Sequence, residues 1–240
     1  MSPATLPLDK KGERIRRMFG AIAPTYDFLN HLLSLNIDRK WRQRVTRLVP
    51  VRDGPILDLC TGTGDLALAY DRSARGRVEI LGADFCGEML DLAVGKLSRS
   101  QRHRIRFLQA DAQFLPFVDG CFEIVCVAFG LRNVSDPDKA LNEMVRVTRP
   151  GGRIAILEFS RPRASVLGKM YQAYFRYLLP WIGQAISRNQ DSAYHYLPAS
   201  VEEFPCGEAL AERLRQHGLS DVRYFPMTFA IATLYVGVKP

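Results

Sequence analysis

Residues 54–65 read Gly54-Pro55-Ile56-Leu57-Asp58-Leu59-Cys60-Thr61-Gly62-Thr63-Gly64-Asp65. Ile56–Cys60 is a short apolar strand that runs into a glycine-rich turn, and Asp65–Ser73 behind the turn has helical spacing. Outward from there the same alternation continues. Strands Val78–Ala83, Ile105–Gln109, Phe122–Ala128 and Gly152–Phe159 are separated by helices Glu88–Leu97 and Asp136–Val147. Phe122–Ala128 is almost continuously apolar, as a strand covered on both faces must be. Asp136 stands at a helix cap with Pro137 at the first helical position. Strands alternating with helices predict an α/β fold with a doubly wound, mostly parallel sheet.

Around this core the pattern changes. Upstream, residues 10–20 and 37–49 are expected to be helical, the second with Ile37, Trp41, Val45, Leu48 and Val49 on one stripe. Downstream, Leu167, Met170, Tyr171, Tyr174, Phe175, Leu178 and Ile182 recur at helical spacing in an aromatic insertion that runs to about Pro198. Helix Gly207–His217 follows. Val222–Pro226 and Phe229–Val238 then form an antiparallel hairpin that closes one sheet edge and brings the strands to seven. The expected organisation is a basic helical segment (1–52), an α/β core (53–160), the insertion (161–198) and the closing elements (199–240), all in one folded domain.

Composition narrows the class. With 47% hydrophobic and 24% charged residues in 240, the chain is neither disordered nor collagen-like. The longest uncharged apolar run, Thr228 to Val238, is far shorter than the roughly 18–20 residues that span a bilayer, and no secretory signal is expected. Five cysteines without a CxxC pair read as reduced thiols in a cytoplasmic protein. The four histidines have no metal-ligand spacing, so no metal is expected. Residues 1–52 hold eleven Lys/Arg against four Asp/Glu, whereas the remaining 188 hold 22 against 21. Such a basic end points to an anionic partner surface, with a solvated helix face as the plain alternative.

The glycine turn carries the chemistry. Glycine lets a ligand approach the backbone, and the helix behind it offers free N–H groups. Asp84 ends the second strand twenty residues after Gly64, the spacing that sets a carboxylate against ribose hydroxyls. A dinucleotide and S-adenosylmethionine both satisfy this arrangement. The third glycine of the dinucleotide pattern is absent, because Leu66-Ala67 follow. Asp58, near the turn, suits a sulfonium and an ammonium better than a pyrophosphate. The residues therefore favour S-adenosylmethionine, with Asp58, Gly62, Thr63, Gly64 and Asp84 around it. Asp111-Ala112, after the third strand, can serve the adenine amino group and a ring nitrogen.

Further motifs bear on the acceptor. They are Phe129-Gly130-Leu131-Arg132-Asn133-Val134 and Leu157-Glu158-Phe159-Ser160-Arg161-Pro162, with Tyr26-Asp27-x-x-Asn30-x-x-x-Ser34 upstream and Ala193-Tyr194-x-Tyr196-Leu197 downstream. Together, over residues 18–240, they resemble the ubiquinone/menaquinone biosynthesis C-methyltransferases. The resemblance implies a Rossmann-like class I methyltransferase fold and methyl transfer from S-adenosylmethionine to a ring carbon of a prenylated quinol, demethylmenaquinol foremost. It implies donor contacts at Thr63, Asp84, Asp111 and Ala112. The family usually has Ser at Ala128, often Gly and His at Asn36 and Asp38, and Gly and His at Ala230 and Tyr235. The expected reaction uses a deprotonated quinol ring as nucleophile. Arg132 either orients the quinolate or anchors its own loop through backbone carbonyls. Tyr26, Asp27 and Asn30 are candidates to line the acceptor pocket.

Other readings remain at this point: another small phenolic or lipid acceptor, or a non-catalytic subunit that binds S-adenosylmethionine or a quinone. A nucleic-acid partner is not expected, because no base-amine or cytosine-carbon methylation motif follows the fourth strand. The expected partners are the quinol, the anionic inner face of a membrane at the periphery, and a second copy of the chain as a homodimer.

Overall fold

The computed structural model describes residues 12–34, 36–161 and 193–240. Seven strands form one sheet: β1 (Ile56–Leu59), β2 (Ile80–Asp84), β3 (Ile105–Gln109), β4 (Phe122–Ala128), β5 (Thr148–Phe159), β6 (Ser220–Met227) and β7 (Ala232–Val238). Their order is β3-β2-β1-β4-β5-β7-β6. The first five strands run parallel, and β7 pairs antiparallel with both β5 and β6. This is the doubly wound sheet with its antiparallel closure that the sequence predicted.

The helices are α1 (Gly12–Leu33), α2 (Ile37–Leu48), α3 (Asp65–Ala74), α4 (Gly87–Lys96), α5 (Pro137–Val147), α6 (Ala193–Glu203) and α7 (Glu208–Gln216). The cap is as expected, with the Asp136 side chain accepting from the Lys139 N–H at 3.2 Å. Most expected element ends fall within three residues of the observed ones, and two differ by more. The first helix does not end near residue 20 but continues through Pro24 to Leu33. A proline removes one ladder bond, and that loss is outweighed where a helix face is buried, as Met18, Ile22 and Ala23 are here. The Pro-Gly-Gly turn at 150–152 lies inside β5, where the pairing with β4 shifts register between Phe122 and Ile124. The aromatic stripe at 167–182 lies outside the described residues.

Strand alternation divides the core into two layers. Leu57, Leu59, Val125, Val127, Ile154 and Ile156 face α5 and α7, packing on Leu141, Met144, Leu210 and Leu214. Ile56, Ile124, Cys126, Ala155 and Leu157 face α2 and α3, packing on Trp41, Val45, Leu66 and Tyr70. Because β1 is flanked by β2 on one side and β4 on the other, the sheet has its topological switch there. A crevice opens at the carboxyl ends of these strands.

Candidate active site

The crevice is a cleft that opens to solvent at its mouth. Its floor comes from strand ends: Leu59, Cys60 and Gly62 after β1, Asp84 and Phe85 at β2, Ala110 to Gln113 after β3, and Ala128 to Gly130 after β4. One wall is helical. Gly12, Ile15, Phe19 and Tyr26 present one face of α1 to the cleft, and the Phe19 and Tyr26 rings meet edge-on with centroids 6.0 Å apart.

Gly62 has φ +55° and open space where a side chain would stand, so the turn leaves a vacant cradle at the cleft. Asp84 is held by backbone donors. Gly62 N–H reaches its Oδ2 at 2.8 Å and Cys86 N–H its Oδ1 at 2.9 Å. Burial pushes the Asp84 carboxyl up, opposed by these N–H groups. A carboxylate fixed in this way beside a side-chain-free turn fits a ribose diol. Asp111 is oriented by Gln113, whose backbone N–H donates to Oδ1 at 2.9 Å.

Of the residues expected at the donor, Gly62, Asp84, Asp111 and Ala112 line the cleft. Asp58, Thr63 and Gly64 stand behind it. Asp58 shares the α3-facing side of β1 with Ile56, which alternation dictates, and is 1% exposed. Its Oδ2 accepts from Thr61 Oγ1 at 2.6 Å and from Ala67 N–H at 3.1 Å. Burial pushes its carboxyl up to about 7. Asp58 sits under the turn, bonded to Thr61 and Ala67 and outside the cleft lining. Gly64, at φ +81°, has no room for a Cβ, which would lie 2.9 Å from Phe107.

Among the residues expected to be catalytic, Tyr26 lines the cleft. Asp27 turns to the glycine turn, where its Oδ1 accepts from Thr63 Oγ1 at 2.5 Å. The Asn30 side chain lies outside the described part of the chain. Arg132 is 4% exposed and lies outside the cleft lining. Its Nη1 donates to Glu158 Oε2 at 3.0 Å and also to the Phe129 carbonyl. Glu158 further accepts from the Arg132 and Phe159 N–H groups. The loop after β4 is therefore braced from inside, and Gly130 permits its approach to the first turn: a Cβ there would lie 2.2 Å from that of Cys60. An aromatic group supports it, with Phe129 and Phe159 centroids 4.4 Å apart and Trp41 at 5.9 Å from Phe129.

Sequence reasoning missed Ile15, Phe19, Phe85 and Met89 in the lining. Ile15 and Phe19 were findable, since 12, 15, 19 and 26 recur at helical spacing once the helix is extended to Leu33. The structure also brings His31, Asp38 and Asp65 within 4.8 Å of one another. Arg42 and Lys96 already occupy these carboxylates, Arg42 at 2.5 Å from Asp38 and Lys96 at 2.9 Å from Asp65.

The family model described as the ubiE/COQ5 methyltransferase family matches residues 8–239. The chain belongs to the ubiE/COQ5 methyltransferase family. It is 47% identical over 234 residues to a ubiquinone/menaquinone biosynthesis C-methyltransferase of Geobacter sp. strain M21, covering 97% of this chain and 99% of that one. It is 48% identical over 225 residues to a demethylmenaquinone methyltransferase of Thermus thermophilus, covering 93% and 100%. In fold it is similar to phosphoethanolamine N-methyltransferase 2 of Haemonchus contortus, solved in complex with S-adenosyl-L-methionine. That match has a TM-score of 0.60 and 16% identity, over 84% of this chain and 52% of the other. As a member of the ubiE/COQ5 family the protein is an S-adenosylmethionine-dependent methyltransferase with the class I fold. Of Asn36, Asp38, Ala128, Ala230 and Tyr235, only Ala128 lines the cleft. Asp38 is taken up by His31, Ser34 and Arg42, and Tyr235 accepts from the Gly207 N–H at 2.6 Å through its hydroxyl.

Proposed function

We propose that the protein methylates a ring carbon of a prenylated quinol, demethylmenaquinol foremost, in menaquinone or ubiquinone biosynthesis. The observation that carries this is the family match over nearly the whole chain, joined to a cleft at the sheet's switch point with Gly62 and Asp84 in place. Gly62, Asp84, Asp111 and Ala112 would hold the donor. S-adenosylmethionine brings an electrophilic methyl group. Asp84 accepts from ribose hydroxyls, and Asp111 and the Ala112 N–H serve the adenine edge. Ile15, Phe19, Tyr26 and Phe129 enclose the cleft and exclude water. Alignment of donor and acceptor in such a site can be worth several kcal/mol or more. Arg132 acts through the loop it anchors, holding Phe129 and Gly130 against the cleft, so in this reading it is a positioning residue.

No helix among the described residues is long and apolar enough to cross a membrane. Access to a prenylated acceptor is proposed to come from attachment at the anionic cytoplasmic face. Exposed Arg39, Lys40, Arg44 and Arg47 on α2 support this, each worth about 1 kcal/mol near such a surface.

The test is incubation with isotopically labelled donor and short-chain demethylnaphthoquinol or demethylbenzoquinol under reducing conditions. A labelled C-methylated product is expected. Asp84→Asn is expected to raise the donor KM about tenfold or more, the loss of a charge-assisted bond. Donor binding in calorimetry with no product from either quinol would overturn the acceptor assignment.

A further inference from the structure

Helix α1 walls the donor cleft with Gly12, Ile15, Phe19 and Tyr26, so its position decides the shape of the site. Apolar contacts of Met18, Ile22 and Ala23 with Tyr196, Cys86 and Met89 hold its middle, and a charged contact ties its C-terminal half. Lys96, in the last turn of α4, puts its ammonium 2.5 Å from Asp27 Oδ2, 2.8 Å from Thr63 Oγ1 and 2.9 Å from Asp65 Oδ1. An ammonium has three protons to donate, and here each has an acceptor. Thr63 Oγ1 accepts from Lys96 while donating to Asp27 Oδ1. Both Asp27 oxygens are thereby taken, one by the hydroxyl and one by the ammonium.

Three elements meet at this nitrogen: α1 through Asp27, the glycine turn through Thr63, and the start of α3 through Asp65. Burial raises the Asp65 carboxyl, but Arg42 and Lys96 outweigh it and hold the group below its ordinary value. The side chains are only part-buried, Lys96 at 27% and Asp27 at 32% exposed. The clasp is therefore of moderate strength and can open. Asp27 adjoins Tyr26, so a shift of Asp27 carries a lining residue with it.

We infer that Lys96 is a positioning residue that clasps α1 to the glycine turn and sets Phe19 and Tyr26 over the donor. The inference rests on the donor reading above. It predicts that the wall opens when the ammonium is removed, with the donor held less tightly and the reacting groups themselves intact.

The test uses the full chain as Lys96→Met, Lys96→Arg, Asp27→Asn and the Lys96→Met/Asp27→Asn double variant. Amide hydrogen exchange without donor reads α1 directly. Peptides from residues 19–33 should exchange about tenfold faster in Lys96→Met, with α5 peptides unchanged as the control for global folding. Calorimetry with S-adenosylmethionine should show about tenfold weaker binding, while kcat at saturating donor falls less than KM rises. Lys96→Arg should restore most of both. The double variant should bind no worse than the poorer single variant, because the two groups act as one contact. Wild-type exchange in α1 together with wild-type affinity in Lys96→Met would overturn the clasp. So would equal loss of protection in α5, which marks a merely structural role. Failure of the wild-type protein to bind donor would instead remove the functional reading, and the exchange arm would still decide the clasp.

Discussion

Asp58→Asn separates an internal brace from a charge presented to ligand. The carboxyl is 1% exposed, between Thr61, Ala67 and Cys126. Burial outweighs its hydrogen bonds and raises its pKa from 3.8 to about 7. A raised pKa means that the native state keeps a proton the unfolded chain has already released. Below 3.8 both states are protonated and ionisation costs nothing. Between 3.8 and about 7, stability falls with rising pH at about 1.4 kcal/mol per pH unit. Above about 7 the full cost of the buried charge, about 4 kcal/mol, is present. Asparagine has nearly the same shape and keeps an oxygen for the Thr61 hydroxyl and the Ala67 N–H, yet it cannot ionise. Urea unfolding of both proteins across pH 5 to 8 should show the variant gaining on the wild type by about 2 kcal/mol between pH 5 and 7, then levelling off. Donor affinity should change little, since the group faces away from the cleft. A stability difference that stays constant with pH would refute the buried-acid account. A large loss of donor affinity with stability intact would return Asp58 to the ligand.

Other expectations follow from the same geometry. Gly64→Ala combines a left-handed φ of +81° with a Cβ 2.9 Å from Phe107, and should cost about 2–4 kcal/mol in urea unfolding. Glu158→Gln leaves the buried Arg132 guanidinium without its counter-charge. It should destabilise by about 3 kcal/mol or more, and an added Arg132→Met should recover part of the loss in the same assay.

The sequence by itself determined the sheet, the glycine turn, the Asp84 spacing, the Asp136 cap and the family. Those signals are local: apolar periodicity of two or near 3.6, turn chemistry and short motifs, all written within a few residues of one another. It misjudged α1, because Pro24 is a strong local stop and the burial that overrides it comes from distant parts of the chain. Only the tertiary structure decided where the charges go. Alternation along β1 turned Asp58 inward, under the turn it was expected to equip. Arg132 met Glu158, 26 residues on, because β4 and β5 lie side by side in the sheet. Asp27 met Thr63 and Lys96 because α1 crosses the mouth that the strand order opens. A side chain's partner depends on which elements the fold makes neighbours. No spacing within one element carries that information.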